Sequence, residues 1–254
     1  MKKDIREGSG LTVGVDLGDR WSRYCVLDSQ GQILEEDTIA TTGPAFRKLF
    51  GDRPAARVVI EVGTHSPWVQ RLLHELGHET ITANPRHVRL IYSSRNKNDQ
   101  LDAERLARLT RVDPKLLHPI QHRGEAAQVD CALLRSRDVL VVCRTKLINH
   151  TRGIVKSMGG RLPTCSTSYF HKRVRQDLPD ELKPALTPVL DTIAALSLKI
   201  QRLDTRIEHL ASKRYPETGL LRQVSGVGSL TALSYVLTLE DPQRFKSSRA
   251  IGPY

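Results

Sequence analysis

A chain of 254 residues with 39% apolar side chains can bury a core in one large or two modest domains, which excludes a disordered polymer. Its formal charge of +11 is unevenly held: residues 1–85 sum to −2, residues 86–175 carry 19 basic against 7 acidic residues for +12, and 176–254 give +1. A basic surplus confined to the middle of the chain points to a polyanionic partner, because neutralising phosphates releases counterions.

In Leu11–Asp28 the alternation of Val13, Val15 and Leu17 predicts a strand with Asp16 mid-strand on the opposite face. Burying an unpaired carboxylate costs several kcal/mol, so an acid there is expected to be solvated, paired or bound to metal. Arg23–Leu27 and Ile33–Ile39 read as a second and third strand around Gln30-Gly31, a meander. A short helix is expected over Ala45–Phe50. The continuous apolar run in Ala55–Gly63 then reads as a strand buried on both faces and ending at a second anomalous acid, Glu61. Ser66 is the expected N-cap of a helix with Pro67 at its first position, and Gly77 its stop. Thr80–Ala83 resumes as a strand.

His74-Glu75-Leu76-Gly77-His78 matches the spacing of a zinc-protease helix. Gly77 and the β-prone residues that follow argue that the helix has ended by His78, so a metal reading is disfavoured.

From Asp99 the pattern turns helical, with Ala103, Leu106, Ala107 and Thr110 as an inward stripe and Asp99 and Asp102 on the first turn. A helix dipole alone would favour either acid there. Arg105, Arg108 and Arg111, with Arg95 and Lys97 just before, form a basic edge expected to contact nucleic acid. A long basic helix is expected from Gly124 to Met158, then a basic linker over 159–180. Val189, Ile193, Leu196, Ile200, Leu203, Ile207 and Leu210 make a three-heptad seam. Its partner is either the 124–158 helix or a second copy, with dimerisation through residues 186–210 favoured. Gly226 and Gly228 lie in a stretch like the hairpin of helix-hairpin-helix modules, which presents backbone N–H groups to a phosphate; a structural turn is the alternative. The expected domains are 1–122, 123–215 and 216–254.

The four cysteines, Cys25, Cys131, Cys143 and Cys165, show no C-x-x-C pair and no metal spacing, which suggests reduced thiols. The start has no apolar leader and no run nears the roughly 20 apolar residues that span a bilayer, so a cytoplasmic protein without a membrane partner is expected.

An Asp on a first strand, a Glu ending a central strand and an Asp-x-x-Asp pair on a following helix is the carboxylate set of the RNase H-like fold. Four hard oxygen donors suit two Mg²⁺ ions about 4 Å apart, with Mn²⁺ as a substitute, for phosphodiester cleavage. Asp16, Glu61, Asp99 and Asp102 are therefore the candidate catalytic and metal-binding residues.

Gly14-Val-Asp16-Leu-Gly, Ile60-Glu61-Val-Gly-Thr, Asn98-Asp99-Gln-Leu-Asp102-Ala103-Glu-Arg-Leu-Ala, and Val224-Ser-Gly-Val-Gly-Ser-Leu-Thr-Ala with Phe245-Lys-Ser-Ser-Arg249 resemble the DEDD transposases of insertion-sequence family 110 and the related Piv-type invertases. The resemblance implies an α/β, RuvC-like N-terminal domain, a coiled-coil dimerisation region and a helical transposase domain. It also implies DNA partners at the insertion-sequence ends and target, and a structured guide RNA that pairs with both. Family members continue past the equivalent of Tyr254 with a serine proposed to attack DNA. Ser225 and Ser229 do not match that motif, so a truncated form is expected. A non-catalytic nucleic-acid-binding remnant, or an actin- or sugar-kinase-like ATPase, are the alternatives.

Overall fold

The computed structural model describes residues 10–84, 99–245 and 247–251, with side chains excepted at 99–101 and 244. The described residues fall into two compact units, Met1–His122 and Arg123–Tyr254.

The first unit is built on a five-stranded sheet. Its strands are β1 (Thr12–Asp16), β2 (Trp21–Leu27), β3 (Ile33–Ala40), β4 (Arg57–Glu61) and β5 (Glu79–Ala83), in the spatial order β3-β2-β1-β4-β5. Hairpins make β1, β2 and β3 antiparallel, whereas β4 runs parallel to β1 and β5 parallel to β4. Parallel neighbours need long crossovers, and helices supply them: α1 (Gly43–Gly51) precedes β4 and α2 (Ser66–Glu75) links β4 to β5. A third helix, α3 (Asp99–Val112), covers the opposite face. This is a mixed α/β architecture, the class expected for this part of the chain.

Alternation along the strands gives each face its own core. Val13, Val15, Val58 and Ile60 pack with Phe46, Phe50, Val69 and Leu73 from α1 and α2. Val59 and Ile81 meet Leu106 of α3, and Cys25 and Leu27 meet Ala103 and Ala107. Two local expectations need correction. Asp16 is the last residue of β1, not a mid-strand one, because the chain turns at Gly18, where a Cβ would stand 2.1 Å from the Trp21 carbonyl oxygen. Ser66 lies inside α2 behind the N-cap residue His65, its hydroxyl held by hydrogen bonds with the backbone of Gly63.

The second unit is helical. Its long elements are α4 (Glu125–Ser157) and α6 (Lys183–Arg214). Ile193, Ile200 and Ile207 of the α6 seam are buried, and the packing partner the structure shows for this stripe is α4 of the same chain: Ile193 clusters with Ile148 and Val155, Ile207 with Ala127 and Leu134. The expected linker at 159–180 is instead packed. Leu162, Phe170, Val174 and Leu178 are buried against α4 and α6, and α5 (Phe170–Arg175) carries two of them. Four apolar anchors outweigh the prolines and basic residues between them. Helices α7 (Thr218–Leu221) and α8 (Ser229–Leu239) follow, and Leu233 and Leu237 join the same cluster as Ile207. No helix among the described residues is long and apolar enough to cross a membrane.

Candidate active site

Asp16 and Glu61 end adjacent parallel strands. The register pairs Val15 with Ile60, so the two acids stand side by side at the carboxyl edge of the sheet, on strands about 4.8 Å apart. Since Val15 and Ile60 face α1 and α2, the period of two turns both acids to the face covered by α3. Helix α3 reaches that face closely because Gly14 has no side chain. A Cβ there would stand 2.0 Å from the Ala103 carbonyl oxygen and 2.7 Å from the Ala107 nitrogen. Asp102 is the residue before Ala103, so its first-turn position places it over the end of β1. The Asp102 carboxylate is half exposed, 3.5 Å from Arg105. Asp99 is the first residue of α3, and its side chain lies outside the described ones.

Asp16 and Glu61 thus share one face and one edge, and Asp102 lies on the helix that covers that face. Their hard oxygens suit a divalent cation, yet among the described residues no group of three or more His, Cys, Asp or Glu stands close enough to hold one. The register also brings in Arg23, which pairs with Asp16 across β1 and β2 and is exposed. Arg23, Glu36, Thr38 and Ala103 line a cavity of about 200 Å³. The chain pattern does not mark Arg23 as a site residue; only the hairpin register would have found it.

The basic edge is distributed differently from its helical spacing. Arg108 donates to Glu104 at 2.6 Å and to the Gly31 carbonyl at 3.1 Å, and Arg111 donates to the Ser29 carbonyl at 2.6 Å. These two arginines brace the β2–β3 turn, where Gly31 takes a φ of +80°. Arg95 and Lys97 lie outside the described residues. In the second unit, Gly226 adopts a φ of +84° and Gly228 caps α8. Glu208 hydrogen-bonds with Ser229, the first residue of α8, and pairs with Arg222 at 2.8 Å. These contacts, the Ser229 hydrogen bond first, hold Glu208 below its ordinary pKa and set its carboxylate beside the start of α8.

His78 settles the protease-like spacing. It is buried, with Nδ1 accepting from the Ala56 N–H at 3.2 Å and Nε2 donating to the Phe50 carbonyl at 2.9 Å. Both nitrogens are committed within the fold, and Gly77 takes a φ of +88° between the two histidines.

A family model described as a transposase, that of the IS110 DEDD transposases, matches residues 13–159. The transposase of insertion sequence IS1328 from Yersinia enterocolitica is 26% identical over 94% of this chain and 71% of its own length. The IS1111A transposase of Coxiella burnetii is 26% identical over 99% of this chain and 68% of its own. A putative transposase, y4pF/y4sB, of Sinorhizobium fredii is 27% identical over 80% of this chain and 52% of its own. Among solved structures, T. thermophilus RuvC in complex with a Holliday junction substrate is 12% identical and covers 38% of this chain and 89% of its own, at a TM-score of 0.31. With the family match covering more than half of its length, the chain belongs to the IS110 family of DEDD transposases.

Proposed function

We propose that the chain acts in insertion-sequence transposition as a metal-dependent enzyme that cleaves and transfers DNA strands, with Asp16, Glu61, Asp99 and Asp102 as the metal ligands. The observation that supports this reading is the contact of Gly14 with α3, which packs the helix carrying Asp102 against the strand that ends in Asp16, next to the strand that ends in Glu61. Bound Mg²⁺ or Mn²⁺ would supply an activated oxygen nucleophile and stabilise the leaving oxygen of a phosphodiester. The residues do the rest: the carboxylates position the cations, and Arg23 and Arg105 offer charge to the scissile strand beside them. Arg95 and Lys97 precede α3 in sequence and are assigned the same role.

The partners in this reading are DNA at the insertion-sequence ends and target, and a structured RNA that guides the choice of site. The basic stretch from 86 to 175 supports a polyanion on both counts. Self-association is part of the reading as well. Val139, Val142 and Leu198 are exposed apolar residues on α4 and α6, and they offer a surface to a second copy.

The test is strand cleavage of a labelled duplex carrying an insertion-sequence end, with Mg²⁺ or Mn²⁺. Asp16→Asn and Asp102→Asn are expected to lose at least a hundredfold in cleavage with unchanged duplex affinity. Cleavage by both variants at the wild-type rate would refute the assignment.

A further inference from the structure

Helices α4, α5 and α6 enclose a cleft of about 650 Å³ that the carboxylate site does not use. Arg137 and Arg144 line it from α4, Ser168 and Lys172 stand exposed at its rim, and His171 contributes from α5. Two of its side-chain nitrogens are anomalous. Arg144 Nε and His171 Nδ1 are buried and have no hydrogen-bond partner among the described residues. The Arg144 guanidinium reaches Ser197 Oγ only at 3.4 Å. A buried donor without an acceptor costs about 1–3 kcal/mol, more when charged, so the arrangement is unfavourable unless an acceptor arrives.

The charge in the cleft has one sign to spare. Asp204, its carboxylate, is hydrogen-bonded to Arg137 at 2.8 Å and only its field reaches Arg144, so one carboxylate faces Arg137, Arg144 and Lys172 in the lining. Burial and the neighbouring Arg137 hold Arg144 below the ordinary guanidinium pKa, yet arginine stays protonated. Burial, Lys172 and Arg175 lower the pKa of His171, so near neutral pH it is an uncharged imidazole able to offer one N–H. A planar guanidinium edge flanked by a second cation, a hydroxyl and an imidazole matches the tetrahedral oxygens of a phosphate.

We infer that this cleft is a phosphate-binding site that seats a phosphodiester of a nucleic acid strand on Arg144, with Lys172 and Arg137 flanking it. A strand is favoured over a free ion because the basic residues continue on either side: residues 123–175 hold 11 basic against 3 acidic ones. The inference goes beyond the proposed function and shares only its nucleic-acid partner. Binding is read without divalent ions, so failure at the carboxylates and failure here are separate results.

The experiment titrates the full chain in EDTA with a labelled duplex across a salt series, and with inorganic phosphate followed by ³¹P line width. Arg144→Gln is expected to weaken duplex binding about tenfold and to flatten the salt slope by about one. Arg144→Lys, which keeps the charge and tests the same point should the glutamine variant unfold, is expected to recover only part, because an ammonium lacks the fork. Lys48→Gln on α1 is expected to change neither. Unchanged duplex affinity and slope in both Arg144 variants would overturn the inference. So would phosphate binding lost in the variants while duplex binding stays intact, since the cleft would then hold a free anion only.

Discussion

Gly14 lies under the carbonyl of Ala103, so close that a Cβ on the glycine would be 2.0 Å from that oxygen. No rotamer relieves the clash, because both groups are backbone. Gly14→Ala is therefore expected to destabilise the first unit by about 3 kcal/mol or to lift α3 from the sheet, beyond the usual overpacking cost. Gly63→Ala, with open space around it, should stay within about 0.5 kcal/mol of wild type. Equilibrium unfolding in urea checks both.

Glu35 accepts from the Tyr24 hydroxyl and from Arg53. These two contacts, Tyr24 first, hold its carboxyl below the ordinary value near 4.5. A depressed pKa contributes stability that is present above the ordinary value and lost as pH falls through the folded one. The carboxylate is 42% exposed, so screening keeps the effect small. Glu35→Gln is expected to cost about 1 kcal/mol at pH 7, with the gap to wild type closing below about pH 4. Unfolding curves at the two pH values measure it.

The four cysteines are free, but their environments differ. Cys25 is fully buried, and burial followed by its hydrogen bond with Glu36 pushes the thiol up to about 12. Cys143 is exposed on α4. With iodoacetamide at pH 8, Cys143 should be alkylated first and Cys25 only after unfolding, because the thiolate is the reactive form. Mass spectrometry of a time course gives the order.

His78→Ala should destabilise the first unit by about 1–3 kcal/mol, since it leaves the Ala56 N–H and Phe50 carbonyl unpaired in the core. His74→Ala, at an exposed position, should change stability by less than about 0.5 kcal/mol. Neither substitution is expected to alter zinc content, read by elemental analysis.

Periodicity made the strand ending at Glu61 and the inward stripe of α3 legible, because burial on one or two faces writes itself into residue spacing. The four motif blocks made the family legible. Contacts set by distant pairing were not readable in that way. Arg108 and Arg111 are spaced like a nucleic-acid edge, yet their partners are carbonyls 77 and 82 residues earlier. The segment 159–180 has the composition of a linker, and only its four buried apolar residues reveal that it packs. Arg144 and His171 carry no motif at all; their unpaired nitrogens emerge once α4 and α5 are in place.

The most direct test of the central claim is a titration of the purified chain with Mn²⁺, followed by loss of the free-ion EPR signal, for wild type, Asp16→Asn and Asp102→Asn. Saturable binding in the wild type, weakened at least tenfold in each variant with the fold intact by circular dichroism, is the predicted result. Equal Mn²⁺ affinity in all three proteins would contradict it.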